Sequence, residues 1–234
     1  TALNALDMAS ATSGWAVSDS EKFYRYDGAA WSEFADLGAT NIFDVNIVSA
    51  NDAWAVGANG LILHYDGIAW SEFAAIGSQN INAVAMVSAT DGWAVGNSGK
   101  FYHYNGAAWS EFLDVGTAQL NDVSMISATE GFAAGNSGNV YKYNGATWIA
   151  QSSPTNKDLQ AITMISHFNG WSAGNSGTIL HFVKVGLYQT QGLLTSSSFN
   201  AGGPVKIQVA EWDETVSFCA PACKARLQVR AAPD

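Results

Sequence analysis

The chain has 234 residues, of which 48% are hydrophobic and 13% are charged, with 23 glycines and 4 prolines. This balance indicates short buried strands joined by tight turns, and it excludes a disordered chain and one built from long amphipathic helices. The net charge of −10 predicts that nucleic acid is not a partner, and no apolar run approaches the roughly 20 residues of a membrane span.

An aromatic residue recurs along the chain at steps of 39 residues. The five positions are Trp15, Trp54, Trp93, Phe132 and Trp171, and a second series keeps the same interval at Trp31, Trp70, Trp109 and Trp148. A period near 40 is found in β-propellers and in some helical arrays, so the interior of the repeat has to decide between them.

The third copy shows the organisation of the repeat. It begins with the alternating stretch INAVAMVS (81–88) and continues with GWAVGNSG (92–99), KFYHY (100–104), a turn at NG (105–106) and AWSEF (108–112). Short apolar runs between Gly, Asn and Ser turns are typical of antiparallel strands in hairpins. The sequence therefore predicts an all-β fold, a five-bladed β-propeller of four-stranded antiparallel blades. We expect the five sheets to close one ring, with the first strand of each copy innermost.

Two turn positions recur in the repeat. Glycine ends the turn between the second and third strands of four copies, where a positive φ favours it, and Glu21 takes this place in the first copy, which predicts a distorted turn there. A serine ends the first strand of every copy, at Ser10, Ser49, Ser88, Ser127 and Ser166. We interpret these serines as partners in a shared turn hydrogen bond, because no base or orienting acid recurs beside them.

The third strand of every copy carries one basic residue, at Arg25, His64, His103, Lys142 and His181. One interpretation is a cationic ring that faces an acidic ligand, or three histidines around a metal. We favour the alternative, in which each basic group stacks on a neighbouring Tyr or Trp, or pairs with Glu33, Glu72 or Glu111 at a rim. Equivalent positions converge only on the innermost strand, so no metal site is expected at this ring.

The first strand of each copy should line the axis of the ring. One of its registers holds small and mostly polar residues, at Asp7, Asn46, Ala85, Ser124 and Thr163. Such a channel lining suits ordered water or a small polar ligand. Asp44 and Asp122 lie two residues earlier in their own registers, and no pair of acids recurs at a spacing for general acid–base catalysis. No Walker loop, dinucleotide fingerprint or HExxH string occurs, so we expect no catalytic residues and no cofactor.

The string WAVGxxGxxxHYxGxxW, at 54–70 and 93–109, resembles the repeats of a large group of secreted bacterial propellers. It is distantly similar to the sialidase-type (Asp-box) and photosystem-assembly-factor propellers, and the resemblance covers residues 1 to about 192. Sialidases carry an arginine triad, whereas this chain has only Arg25, Arg226 and Arg230, two of them outside the repeats. The resemblance implies a secreted scaffold without sialidase catalysis.

The fifth copy is predicted to end with the strand GLYQTQG (186–192), after which the composition changes. The sequence thus predicts a propeller at 1–192 and a C-terminal β-strand extension at 193–234. The extension resembles the opening strands of a jelly-roll-like module of bacterial surface proteins, with Asn200 where that family tends to have Asp. It is too short to close a sandwich, so its strands should lie back on the propeller or pair edge to edge with another chain.

Cys219 and Cys223 lie on either side of Pro221 in SFCAPACKAR. A disulfide that closes this short loop is natural in an oxidising compartment, and it is the pairing we expect. The spacing is too long for a haem-attachment CxxCH, and two thiols without a nearby His make a poor zinc site.

These observations favour a non-catalytic structural or adhesive building block of the extracellular space or the cell surface. We expect it to assemble with other protein subunits through residues 193–234, as a homo-oligomer or with an anchoring or polymerising partner, as in a surface filament. A module that binds a glycan or a peptide is the alternative, and a glycan-cleaving enzyme is the third candidate. Near-identical blades favour the structural role, because a binding protein should show one blade with unique polar insertions.

Overall fold

The computed structural model describes residues 2–184, 191–197 and 207–213. The strands of the first two blades are β1 (Leu3–Ser10), β2 (Ser13–Ser18), β3 (Lys22–Tyr26), β4 (Trp31–Asp36), β5 (Ile42–Ser49), β6 (Asp52–Gly57), β7 (Leu61–Tyr65) and β8 (Trp70–Ala75). Those of the next two are β9 (Ile81–Ser88), β10 (Asp91–Gly96), β11 (Lys100–Tyr104), β12 (Trp109–Asp114), β13 (Leu120–Ser127), β14 (Glu130–Gly135), β15 (Val140–Tyr143) and β16 (Trp148–Gln151). The fifth blade contains β17 (Leu159–Ser166), β18 (Asn169–Gly174), β19 (Thr178–Lys184), β20 (Gln191–Ser197) and β21 (Ile207–Asp213).

Each of the first four blades is a four-stranded antiparallel meander, in which the strands pair in chain order. The first strands of successive blades, β1, β5, β9, β13 and β17, pack against one another in that order and form the inner edge of the molecule. The all-β fold and the five-bladed propeller of four-stranded blades are therefore confirmed.

In the first four blades the second strand lies at the centre of the fold because both of its faces are covered. In β10, Trp93, Ala94 and Val95 are all buried, so that one face carries large side chains and the other small ones. Gly96 ends this strand at a close approach, because a Cβ atom there would lie 2.2 Å from the carbonyl oxygen of Asn80. Small and large faces alternate in this way so that adjacent blades can pack tightly.

The hydrophobic core lies in the seams, by which we mean the contacts between successive blades. In three seams a Trp of the second strand meets, edge to face, a Trp of the fourth strand of the next blade. The centroid distances are 5.4 Å for Trp15–Trp70, 5.7 Å for Trp54–Trp109 and 5.3 Å for Trp93–Trp148. An aromatic pair of this geometry adds about 0.5–1.5 kcal/mol beyond its buried area. The recurring tryptophans are thus the anchors between blades.

The described residues do not close the ring that the sequence predicts. On the first blade Leu3 and Leu6 are 63% exposed, whereas the equivalent Ile42 and Val45 of the second blade are buried. On the fifth blade Trp171 is exposed, whereas its equivalents are buried in seams. The described blades therefore form a row with four seams, in which β1 and β17 do not pack against each other as the other inner strands do.

The turn at Glu21 keeps the pair of positive φ values of its equivalents but lacks the 3-10 turn that precedes the third strand in the other four copies, so the prediction of a distorted turn is confirmed in part. Ser20 and Glu21 have φ values of 70° and 49°, and Asn59 and Gly60 in the second blade have 57° and 75°. The Glu21 carboxylate accepts a hydrogen bond of 3.2 Å from the Thr40 N–H, which ties the turn to the chain before β5. A non-glycine residue thus adopts the left-handed conformation at this turn, with a modest steric cost.

The end of the fifth blade differs from the sequence prediction. The strand that pairs with β19 is β20, Gln191–Ser197, rather than residues 186–192, and β21 then adds a fifth strand to the same sheet. The predicted boundary between residues 192 and 193 lies inside β20. The first part of the C-terminal extension therefore continues the sheet of the fifth blade.

Candidate functional site

Each basic residue of the third strand is the direct cross-strand partner of the first aromatic residue of its repeat. The pairs are Trp15–Arg25, Trp54–His64, Trp93–His103, Phe132–Lys142 and Trp171–His181. The ring centroids of the second, third and fifth pairs lie 4.2, 4.5 and 3.8 Å apart, and the Arg25 guanidinium carbon lies 5.5 Å from the Trp15 centroid. The five basic groups are thus spread over five blades, four of them against the ring of their own cross-strand partner, and they do not converge on one ligand.

An acidic residue at the start of the second strand binds the basic group in three blades. His64 Nε2 lies 2.9 Å from Asp52 Oδ1, and His103 Nε2 lies 2.8 Å from Asp91 Oδ1. In the fourth blade Glu130 contacts both Lys142 and His167. These acids are not among the residues predicted from the repeat, although they recur at the interval of 39 residues.

Two of the three glutamates that the sequence suggests as partners of the basic ring, Glu33 and Glu111, bind other residues. Glu33 accepts a hydrogen bond of 3.0 Å from Lys22, and Glu111 accepts one of 2.8 Å from Lys100. These ion pairs lie at the surface and also include Asp36 and Asp114, so they contribute little to stability.

The register predicted to line a channel connects the blades. The Asp7 carboxylate accepts a hydrogen bond of 2.7 Å from the backbone N–H of Ile47, and the Asn46 Oδ1 atom accepts one of 2.9 Å from Met86. Ser124 Oγ similarly accepts one of 3.0 Å from the backbone N–H of Met164. In each case the donor belongs to the inner strand of the next blade. Ala85 has no side chain that could make this bond, and Thr163 lies on the fifth blade, at the end of the row.

A second set of seam contacts uses asparagine side chains of the same strands, which the sequence analysis missed. The Nδ2 groups of Asn4, Asn82 and Asn121 donate hydrogen bonds of 2.6, 2.7 and 2.7 Å to backbone carbonyls of the next blade. The acceptors are the carbonyl oxygens of Ile42, Leu120 and Leu159. Recurrence of Asn at this register is the signal that identifies them.

Two carboxyl groups at the inner edge have raised pKa values. Burial raises the pKa of Asp44 to about 7, and the negative charges of Asp122 and Asp7 add to this effect. Burial also raises the pKa of Asp122 to about 6. Hydrogen bonds from the backbone N–H groups of Val84 to Asp44 (2.8 Å) and of Ile162 to Asp122 (2.6 Å) favour the ionised forms and only partly offset burial. Both carboxyl groups therefore act as seam acceptors.

The open face of the fifth blade contains a pocket of about 410 Å³. It is lined by Asp122 and by side chains of β17, β18 and β19, which include Ile162, Thr163, Trp171 and Ile179. In the first seam, the equivalent surface, which includes Trp15, is covered by Ile42 and Val45 of the next blade. The pocket is therefore the vacant half of a seam.

The repeated serines act as turn acceptors, which confirms their interpretation in four copies. Ser10, Ser49, Ser88 and Ser127 each accept a hydrogen bond from the backbone N–H two residues later, at 3.2 to 3.3 Å. Cys219 and Cys223 lie outside the described residues, and their disulfide stays a prediction.

Within the described part of the chain, no group of three or more His, Cys, Asp or Glu side chains could hold a metal ion. The helices of the same residues include none that is long and apolar enough to cross a membrane.

Comparison with known proteins finds similarity in fold only. No protein-family model and no curated protein matches the chain. YCF48 bound to D1 peptide is 15% identical, with a TM-score of 0.60, and the match covers 88% of this chain and 81% of that chain. The designed protein Ika8 is 11% identical (TM-score 0.62; 90% and 71% covered), and U3-55K is 12% identical (TM-score 0.65; 84% and 74% covered). These neighbours are β-propellers, and at such identities the similarity concerns the fold alone.

Proposed function

We propose that this protein is a non-catalytic structural building block of the extracellular space or the cell surface, which binds other protein subunits through its C-terminal extension. The observation that carries this proposal is the fifth strand of the last blade. β21 pairs with β20 and is the last strand of that sheet, so the described chain leaves its outer edge without a neighbouring strand. An exposed strand edge can pair with an extended segment of another chain.

The non-catalytic character is supported by the use of the repeated polar side chains. The basic residues stack on aromatic rings, and several bind acids of the same blade. The polar residues of the inner strands hydrogen-bond the backbone of the next blade. Because these groups already have structural partners, they are poorly placed to act as a nucleophile with its base.

The extracellular or cell-surface location is supported by the resemblance of the repeats to those of secreted bacterial propellers. The resemblance of the extension to a module of surface proteins points to the same location. A disulfide between Cys219 and Cys223 would fit an oxidising compartment.

Truncation tests the role of the extension. Because β20 completes the fifth blade, the informative truncation ends at Ser197 rather than before residue 193. We expect this chain to remain folded by circular dichroism but to lose the assemblies that the full chain forms, as measured by sedimentation velocity and electron microscopy. A chain that ends at Asp213 keeps β21 and is the matched control, which should still assemble through that edge. Equal size distributions for the full chain and the chain ending at Ser197 would contradict the proposal.

A peptide-binding module is the second candidate. It is supported by the similarity to YCF48, which was solved bound to D1 peptide, and by the pocket on the open face of the fifth blade. The sequence is equally compatible with a module that binds glycans. Screening peptide and glycan libraries against the full chain tests this candidate, and binding that Trp171→Ala abolishes would place the ligand in the pocket.

A further inference from the structure

The row of blades ends in two unpaired faces that correspond to the two halves of a seam. We name them the leading face, on the first blade, with Leu3, Leu6 and Trp31, and the trailing face, on the fifth blade, with Trp171 and its pocket. Trp31 and Trp171 are 43% and 41% exposed, whereas their equivalents within seams are at most 6% exposed. Large apolar side chains are thus exposed on both terminal blades, at positions that are core elsewhere in the chain.

The four seams show what kind of surface covers such faces. In the first three seams, the Trp of the second strand packs against a Trp and a Tyr of the next blade, as Trp54 does against Trp109 at 5.7 Å and Tyr104 at 4.8 Å. In the register of the repeat, Trp171 is equivalent to Trp54 and Trp31 is equivalent to Trp109. The two exposed tryptophans are therefore the two partners of a fifth seam.

The inner strands carry the same complementarity. Thr163 stands at the register of Asp7, Asn46 and Ser124, whose side chains accept a hydrogen bond from the backbone of the next blade. On the leading face the equivalent backbone donor is the Met8 N–H, which in the single chain donates to the Asp7 carboxylate of its own strand. Leu3 and Leu6 of β1 take the places of residues that fill the seam in other blades. The pocket beside Trp171 has the lining that receives such side chains.

We propose that the trailing face of one copy binds the leading face of a second copy, so that the chains associate end to end through a seam of the same kind as the four within each chain. The contact is heterologous, so each further copy leaves one face of each kind open at the ends of the row.

Two other occupants fit the described structure less well. Closure of the ring by the chain's own first blade would require the existing seams to change, although three of them share a Trp–Trp pair and three share a hydrogen bond from the backbone of the next blade. The described strands of the C-terminal extension, β20 and β21, already belong to the sheet of the fifth blade, beside its face. A second copy supplies a complete blade face without either change.

Complementation between two variants tests this contact in the full chain. Trp31→Glu blocks only the leading face, and Trp171→Glu blocks only the trailing face. Each variant alone should lose the concentration-dependent end-to-end association of the wild type in sedimentation velocity. Relative to the double variant Trp31→Glu/Trp171→Glu, which keeps only assembly through β21, an equimolar mixture should gain one end-to-end contact per pair of chains and no more, because the remaining faces are both blocked.

Ile68→Glu is the matched control. It replaces an apolar residue that is 82% exposed in the turn between β7 and β8, at neither end of the row. Ile68→Glu should associate like the wild type, and all three variants should keep the wild-type circular dichroism spectrum, because the changed side chains are exposed in the single chain.

Three outcomes would overturn the inference. A wild type that stays monomeric at all concentrations would show that the first and fifth blades close the ring, or that another part of the same chain covers the leading or the trailing face. Association above the level of the double variant Trp31→Glu/Trp171→Glu in both single variants would place the contact elsewhere, and a mixture that associates no more than that double variant would exclude the complementary pairing. The double variant Trp31→Glu/Trp171→Glu separates this contact from the proposed role of the extension. It should lose the end-to-end contact and keep assembly through β21. The chain ending at Ser197 should lose assembly through β21 and keep the end-to-end contact.

Discussion

The glycine in the turn between the second and third strands is favoured for two reasons, a positive φ and a close contact with another part of the backbone. Gly99 has a φ of 69°, and a Cβ atom there would lie 2.5 Å from the carbonyl oxygen of Gly116. Glu21 adopts a similar φ of 49° in the first blade and uses its carboxylate to bind Thr40. The left-handed conformation is thus available to other residues at this turn, but the close contact at Gly99 leaves no room for a side chain.

We expect Gly99→Ala to lower the free energy of unfolding by about 2 kcal/mol or more, because it combines a strained φ with a backbone clash. Glu21→Gly should change it by less than about 1 kcal/mol, because the relieved strain is offset by the greater freedom of glycine in the unfolded chain. Urea unfolding of both variants measures the difference. Equal losses in the two variants would contradict the role assigned to the contact with Gly116.

The seam carboxyl of Asp44 predicts a dependence of stability on pH. Its pKa is raised from 3.8 to about 7 on folding, so the folded protein binds more protons than the unfolded chain between these values. The stabilisation that this protonated carboxyl provides is complete below about pH 4 and is lost as the pH rises towards 7. Asp122, with a pKa of about 6, acts in the same direction.

Asp44→Ala should therefore cost more stability at pH 5 than at pH 8. The variant loses the hydrogen bond from Val84, a loss of about 1–3 kcal/mol at pH 5, but at pH 8 it also avoids burying a charge. Asp66→Ala is the control, because two backbone hydrogen bonds lower the pKa of that exposed turn carboxyl, and its effect on stability should therefore be nearly the same at pH 5 and at pH 8. Thermal unfolding from pH 4 to 8 gives the comparison, and an effect of Asp44→Ala that is equal at pH 5 and pH 8 would contradict burial as the cause.

At the scale of the element, the second strand has the same sequence pattern in every blade but not the same surroundings. Trp93 in β10 is buried against β12 of its own blade and against Trp148 of the next blade. Trp171 in β18 has the same cross-strand histidine but lies on the trailing face. The strand is therefore predictable from the repeat, whereas the burial of its tryptophan depends on whether another blade follows.

Trp93→Ala should destabilise the chain by about 3–5 kcal/mol, as expected for removal of a buried Trp, whereas Trp171→Ala should cost about 1 kcal/mol or less in the single chain. The measurement is denaturant unfolding at a protein concentration below that of end-to-end association. Comparable losses in the two variants would mean that the trailing face is covered within the chain.

For the whole molecule, stability is distributed along a row in which each blade contacts only its neighbours. Blades within the row have two seams, and the terminal blades have one. In such an array, opening begins at the ends because an end blade gives up fewer contacts.

We expect hydrogen exchange of the single chain to be slowest in the third blade, at residues such as Ala94 and Val95 of β10, and faster in β1 and β17. Mass spectrometry of exchanged peptides at low and high protein concentration measures this gradient. If copies associate end to end, raising the concentration should slow exchange in β1 and β17 while β10 changes little. A gradient that is flat at low concentration would instead indicate a closed ring.

The sequence by itself determined the period, the four strands of each blade and the turns between them, because alternation of apolar residues and turn chemistry act over a few neighbouring residues. It also placed the recurring tryptophans and basic residues at their register positions. Only the tertiary structure decided that Asp7, Asn46 and Ser124 bind the backbone of the next blade, since the partners are 40 residues away and are backbone groups without a sequence signature. It also decided that the first and fifth blades do not meet. Closure depends on the small rotation at each seam summed over the whole row, and no local pattern of residues specifies that sum.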